Sequence, residues 1–232
     1  MPEELGKIEK PPVEEFKEGR KMYFVPLVLS NPGLPPEFTE KLGRYWEQVD
    51  SQIANLESKL GPVSRLYHEL VPETGQEGLD TIKKINPGGL PVFQSRVDRN
   101  AVLEALEDND LLNEIMDWTR CLSLGLQSQK AFSTVYGFYT EANNRRNESI
   151  ARKINETLKE NESCIVVMGE GHHVKFPSDI NIFYIAPPAL DELKRWMRDY
   201  QSQAEKQATQ ETGQPEEKTA QTEDQPPSSA TQ

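Results

Sequence analysis

The sequence predicts an α/β fold: a central, mostly parallel sheet with flanking helices and a helical insertion in the middle. Three observations carry this. Two apolar runs without alternation, Met22–Leu29 and Cys164–Met168, have the pattern of strands buried on both faces. A stretch of helical spacing over 35–60 separates the first run from a second β-prone segment, which is the order of a parallel crossover. Helical spacing then dominates from Asp98 to about Lys159, which places the insertion.

Each element has a local reason. Met22–Leu29 reads as the first strand, closed by the turn Ser30-Asn31-Pro32-Gly33. Pro26 has no N–H to donate to a ladder, so it points to an edge position or a bulge. A helix is expected from Pro35 to Leu60. Phe38, Leu42, Tyr45, Trp46, Val49, Ile53, Leu56 and Leu60 recur along one face, the two prolines suit the first turn, and Gly61-Pro62 stops it. Val63–Val71 is a short second strand ending at Pro72, and a short helix near 76–85 leads to Asn86-Pro87-Gly88-Gly89. The segment 90–96 is ambiguous between strand and loop. The helical stretch over 98–159 carries breaks near Asn109 and Gly125; Gly137 is a further break or only a kink, since 132–158 reads as one face of a long helix. Ser163–Met168 is the clearest buried strand and runs into Gly169-Glu170-Gly171-His172-His173. Ile180–Ile185 is a last strand, and a closing helix follows over Ala189–Tyr200.

Composition sets the domain organisation. The 232 residues carry a net charge of −12 and fit one domain with a tail. Residues 1–21, mixed in charge and containing Pro11-Pro12, are expected to form a flexible leader, with the α/β domain over 22–200. From Gln201 onward there is no aromatic or branched aliphatic residue, and two cations stand against six anions. Such a segment cannot offset the entropy of ordering, so 201–232 is expected to be a disordered acidic tail. The acidic balance argues against nucleic acid, whose binding runs on clustered Lys and Arg. No apolar run approaches the ~18 residues that span a bilayer, and the start of the chain lacks a signal peptide's order, so a cytoplasmic, membrane-free protein is expected. Cys121 and Cys164 form neither a disulfide framework nor a zinc ribbon and are expected to be inert thiols. Trp46, Trp118 and Trp196 fall on apolar helical faces and read as packing residues.

Chemistry is expected at the carboxyl ends of the strands. All three histidines are predicted to lie there: His68 near the end of the second strand, His172 and His173 after the apolar run of 163–168, with Glu69 and Glu170 beside them. Four readings of Gly169-Glu170-Gly171-His172-His173 compete. A dinucleotide loop would need a third glycine where Val174 stands, and a helix directly afterwards. A phosphate-cradling loop would need Gly-Lys-Ser/Thr. Imidazoles with carboxylates are suitable ligands for zinc, manganese or iron. The plainest reading is a tight glycine turn whose histidines hydrogen-bond nearby backbone.

The stretches Arg146-Asn147-Glu148-Ser149-Ile150 and Cys164-Ile165-Val166-Val167-Met168-Gly169-Glu170-Gly171-His172 resemble the C-terminal part of the TraB/TIKI superfamily (TraB/GumN, with ChaN and erythromycin-esterase-like relatives). Members of that superfamily carry Arg-Asn or Arg-Asp on a long helix and an apolar strand running into Gly-x-x-His. Gly169-Glu170-Gly171-His172 fits that tetrapeptide, and Glu69 would be the family's acid after the second strand. A second Gly-x-x-His usually ends the first strand; here Pro26-Leu27-Val28-Leu29 stands in its place. The resemblance therefore implies a divergent member with an incomplete catalytic set, binding a small-molecule or peptide ligand or a partner. It implies two alternatives: a metal-dependent hydrolase of peptide or ester bonds, or a haem-binding protein using one of the histidines. In the hydrolase scheme, His172 and Glu69 hold a divalent ion that lowers the pKa of its water towards ~7. Arg146 then stabilises an oxyanion, Glu170 or His173 moves protons, and His68 or His173 substitutes for the lost ligand. On a strand, His68 and Glu69 face opposite sides, so only one of them reaches a given site without a bulge.

Overall fold

A computed structural model describes residues 16–31 and 33–212. Its chain divides into two compact units between Leu193 and Lys194. The first holds a five-stranded, all-parallel sheet in the order β3-β2-β4-β1-β5, so the predicted α/β class is the observed one. The strands are β1 (Arg20–Pro26), β2 (Arg65–His68), β3 (Val102–Leu103), β4 (Ser163–Met168) and β5 (Ile180–Tyr184). Between them run α1 (Pro36–Leu60), α2 (Gly75–Ile85), α3 (Leu90–Val97), α4 (Asn109–Ser123) and α5 (Gln129–Thr157), and α6 (Pro188–Thr212) follows β5 and crosses the division between the units.

Every residue of β1 and β4 is buried, which explains why both read as unbroken apolar runs. The period of two sorts their side chains. Met22, Phe24, Tyr67, Cys164, Val166 and Met168 share one core cluster with Ile150, Ile154 and Leu158 of α5 and its C-cap. The opposite face of the sheet is met by the helices that precede the insertion: the Tyr45 hydroxyl of α1 donates to the Pro26 carbonyl, and His68 packs against Phe93 of α3 at 5.5 Å. The two faces thus belong to α5 and to the α1–α3 group.

Several expectations need correction. β1 lies inside the sheet rather than at an edge. Pro26 is accommodated because it is the last residue of the strand, and Leu27 N resumes the ladder by donating to the Met168 carbonyl at 2.9 Å. The ambiguous 90–96 segment is helical: Pro91 sits in the first turn, where its missing N–H costs nothing, and Val92 and Phe93 are buried. The start of the predicted helical insertion contains β3, a two-residue strand beside β2. Of the two readings of Gly137, the break is not found: α5 continues through it, as the long-helix reading of 132–158 expects. β1 starts at Arg20, before Met22, and Phe16 already packs on Phe183, while α6 continues past Tyr200 to Thr212. The remaining leader and tail expectations, over 1–15 and 213–232, lie outside the described residues. In the second unit the helix carries Trp196 and Tyr200 with rings stacked at 5.2 Å. Among the described residues no helix is long and apolar enough to cross a membrane.

Candidate functional site

All five strands point the same way, so their carboxyl ends share one rim of the sheet. Three of those ends deliver charged or hinged segments to α5. Glu69 follows β2, Glu107 follows β3 and Leu106, and Gly169 follows β4. Parity explains the first: Tyr67 faces α5, so Glu69 two residues on does too, while His68 between them faces α3.

These segments close around Arg146 of α5. Its Nε donates to Glu107 Oε2 at 2.9 Å, and its Nη2 donates to Glu107 Oε1 and, at 2.9 Å, to Glu69 Oε1. The Glu107 side chain is 0% exposed and takes a further bond from Leu70 N at 3.1 Å. Leu70 lies in the left-handed region (φ 70), a turn that a leucine adopts at some cost and that presents this N–H to Glu107. Glu69 Oε2 accepts from Gly169 N at 2.7 Å, and a Cβ on Gly169 would stand 3.3 Å from that oxygen. Lys153, two turns along α5, donates to the Glu107 carbonyl. Burial works against charge on Arg146, but Glu107 and then Glu69 more than reverse this and hold its pKa above the usual arginine value. An isolated buried charge would be prohibitive; a guanidinium between two carboxylates is not.

A cleft of about 490 Å³ opens beside this cluster, lined by Glu69, Arg146, Gly169, His172 and His173 and by one flank of α5 that includes Tyr136, Tyr139 and Asn147. An adjoining lobe of about 440 Å³ shares Asn144, Asn147 and His173 with it and adds Glu148, Ala151 and Lys175. Together they form a groove along α5. His172 is fixed at its edge: the ring packs near Phe24 and Phe176, and Nδ1 accepts from Val174 N at 3.2 Å. An Nδ1 that accepts carries no proton, so the neutral ring bears its proton on Nε2. Burial lowers the His172 pKa, Glu69 opposing and His173 assisting, which favours this neutral form.

The predicted residues therefore separate. Glu69, Arg146, His172 and His173 meet at the groove. His68 does not: it is 0% exposed, its Nδ1 is bonded to the Glu69 carbonyl and its Nε2 to Asn86 Nδ2 at 3.1 Å. Burial, partly offset by that bond and by the Glu69 charge, pushes its pKa down to about 4, so it is a neutral structural histidine. Glu170 turns away to take the Tyr184 hydroxyl and does not line the groove. The end of β1 supplies Pro26, Leu27, Val28 and Leu29, the last of them 41% exposed, and so no titratable group. Glu107 and Asn147 were not selected from the sequence as site residues. Glu107 sits in Leu106-Glu107-Asp108, which reads as an ordinary charged stretch. For Asn147 the polar run Asn143-Asn144-Arg145-Arg146-Asn147 on a helix whose later residues are core was an available signal.

The donor set does not fit a divalent ion. Both Glu69 oxygens are bonded, one to a guanidinium that a cation would have to face, and His172 has only Nε2 left. Among the described residues no group of three or more His, Cys, Asp or Glu side chains is placed to hold a metal. Cys164 is buried in β4 and Cys121 is half-buried in α4; both are free, and burial raises the Cys164 pKa. Compared with protein-family models, curated proteins and solved structures, the chain shows no match.

Proposed function

We propose that this protein is a divergent TraB-like domain that binds a small polar ligand in the groove along α5, without metal-dependent turnover. One observation carries the reading. Asn147 is only 7% exposed, it lines both lobes, and its Nδ2 has no hydrogen-bond partner among the described residues. A buried amide donor left unmade costs roughly 1–3 kcal/mol, a cost that an acceptor in the groove removes once the amide turns towards it. The rigid Glu69–Arg146–Glu107 cluster beside it supplies a preorganised wall, and Tyr136 and Tyr139 supply aromatic faces, which is how pockets for small molecules are commonly built.

The hydrolase alternative would require a cation to sit beside the Arg146 guanidinium on a carboxylate whose two oxygens already serve Arg146 and Gly169 N, and nothing from β1 replaces the missing imidazole. For haem, His172 Nε2 is a nitrogen that could hold the iron, but walls of Asn, Glu and Arg suit a large apolar macrocycle poorly. The test is to fill the groove. Asn144 is exposed on α5 and lines both lobes, so Asn144→Trp should block it and change stability by no more than about 0.5 kcal/mol. A set of small polar fragments screened by saturation-transfer NMR should give binders to the full chain that the Asn144→Trp protein loses. Fragments that bind both proteins equally, or stoichiometric uptake of zinc or manganese abolished by His172→Ala, would overturn the reading.

A further inference from the structure

The groove's charges and its open donors say more about the ligand than the groove's existence does. Resting on the binding reading above, we propose that the ligand is uncharged and that the group recognised is the carbonyl oxygen of a secondary amide. Among the hydrogen-bond donors that line the larger lobe, three on its packed side have no protein acceptor among the described residues. They are Arg146 Nη1, since Nε and Nη2 serve the two glutamates; Asn147 Nδ2; and His172 Nε2–H, since Nδ1 accepts from Val174. Donors of this kind want acceptors, and the usual acceptor for arginine is an anion.

Here an anion gains nothing. The Arg146 charge is already matched by Glu69 and outnumbered once Glu107 is included, with Lys153 on the Glu107 carbonyl restoring only the balance. The adjoining lobe repeats the pattern with one Glu148 and one Lys175. An entering carboxylate or phosphate would lose its hydration and meet the Glu69 carboxylate without an unmatched cation in return. An uncharged acceptor loses far less on entry, and an amide carbonyl, polarised by its nitrogen, is among the strongest of these. The lobes share Asn144, Asn147 and His173, so the site is elongated, and Tyr136 and Tyr139 at one end offer ring faces to a flat amide or to the apolar face of a sugar. Secondary amides of this kind occur both in peptide backbones and in N-acetylated sugars.

The probes are N-acetylglycine N-methylamide, N-acetylglucosamine and N-acetylglycine, titrated into the ¹⁵N-labelled full chain. The first two present an uncharged amide from the two sources; the third adds a carboxylate at similar size. At least one uncharged probe should shift the Asn147 side-chain NH₂ and the His172 ring signals. N-acetylglycine should bind about tenfold more weakly or worse. His172→Phe, which keeps the ring packing against Phe24 and Phe176, and Asn147→Asp should each weaken the uncharged probe about tenfold. N-acetylglycine binding as well as the neutral probes, or no neutral probe binding at all, would overturn the amide assignment. If other fragments still bind and Asn144→Trp still blocks them, the groove is a binding site for a different chemistry. If Asn144→Trp blocks nothing, the binding reading itself fails.

Discussion

Arg146 is the single side chain on which the site's geometry turns, and its removal has a calculable consequence. Replacing it with leucine keeps the aliphatic packing and deletes three hydrogen bonds, two to Glu107 and one to Glu69. Glu69 keeps Gly169 N, but Glu107, 0% exposed, is left with the single bond from Leu70 N. Removing one partner of a buried ion pair costs about 3–5 kcal/mol, because the remaining charge stays desolvated. Against a typical domain stability of about 5–15 kcal/mol this is a large fraction, and urea unfolding followed by circular dichroism will read it. The pH dependence gives the cause. With Arg146 gone, the desolvation cost at this buried site falls on the charged carboxylate alone, and a neutral carboxyl escapes it. The deficit of Arg146→Leu should therefore be greatest at pH 7 and shrink as the pH falls towards 4.5. Arg146→Leu/Glu107→Leu should recover most of it at pH 7. A deficit under about 1 kcal/mol at pH 7, or one that grows with acid, would show that the cluster is not the buried ion network described here.

Other consequences are simpler to measure. His68 has a folded pKa lowered to about 4 from 6.5, so the unfolded chain binds the extra proton and stability falls as the pH drops through that window, by about 3 kcal/mol in all. Denaturant titrations at steps between pH 7 and 4.5 should show this loss, with His172 adding the same sign, and His68→Gln should flatten most of it; a flat wild-type curve from 6.5 to 5 refutes the assignment. Gly78 has no room for a side chain, since a Cβ would lie 2.7 Å from the Glu73 carbonyl oxygen and 2.8 Å from Leu103 Cδ2. Gly78→Ala should cost about 1–3 kcal/mol in the same unfolding assay despite the better helix propensity of alanine, and a neutral or stabilised variant would contradict the packing of α2 on β3.

The elements legible in the sequence are those whose burial is complete or strictly periodic. β4 is buried along its whole length and α1 buries Phe38, Leu42, Tyr45, Trp46, Val49 and Ile53 on one stripe, so pattern and structure coincide. α3 was not legible because Leu90-Pro91-Val92-Phe93 has the composition of a strand; its helix forms where burial of Val92, Phe93 and Arg96 overrides local preference. Two residues of β3 are too short for any period to show. At the site, Glu69 could be placed because alternation along β2 fixes which way it faces, and the same alternation sends His68 elsewhere. Composition at the sheet's rim drew attention to three histidines, yet only direction decides which of them reach a common space.

Glu107 was invisible for a different reason. A glutamate between a leucine and an aspartate reads as solvated because, taken alone, its burial would cost more than the fold could return. What makes its burial affordable is Arg146, 39 residues away, together with the Leu70 amide, 37 residues away. The arginine in turn depends on Glu69, 77 residues from it. No window of sequence holds two of the three charged side chains Glu69, Glu107 and Arg146, and each taken singly has a bland surface reading. The network exists only because β2 and β3 are adjacent and parallel, ending at the same rim under α5. The same logic bears on ligand choice. A charge matched inside the fold is spent on the protein's own carboxylates, leaving a guanidinium that can still donate a hydrogen bond but can no longer attract an anion.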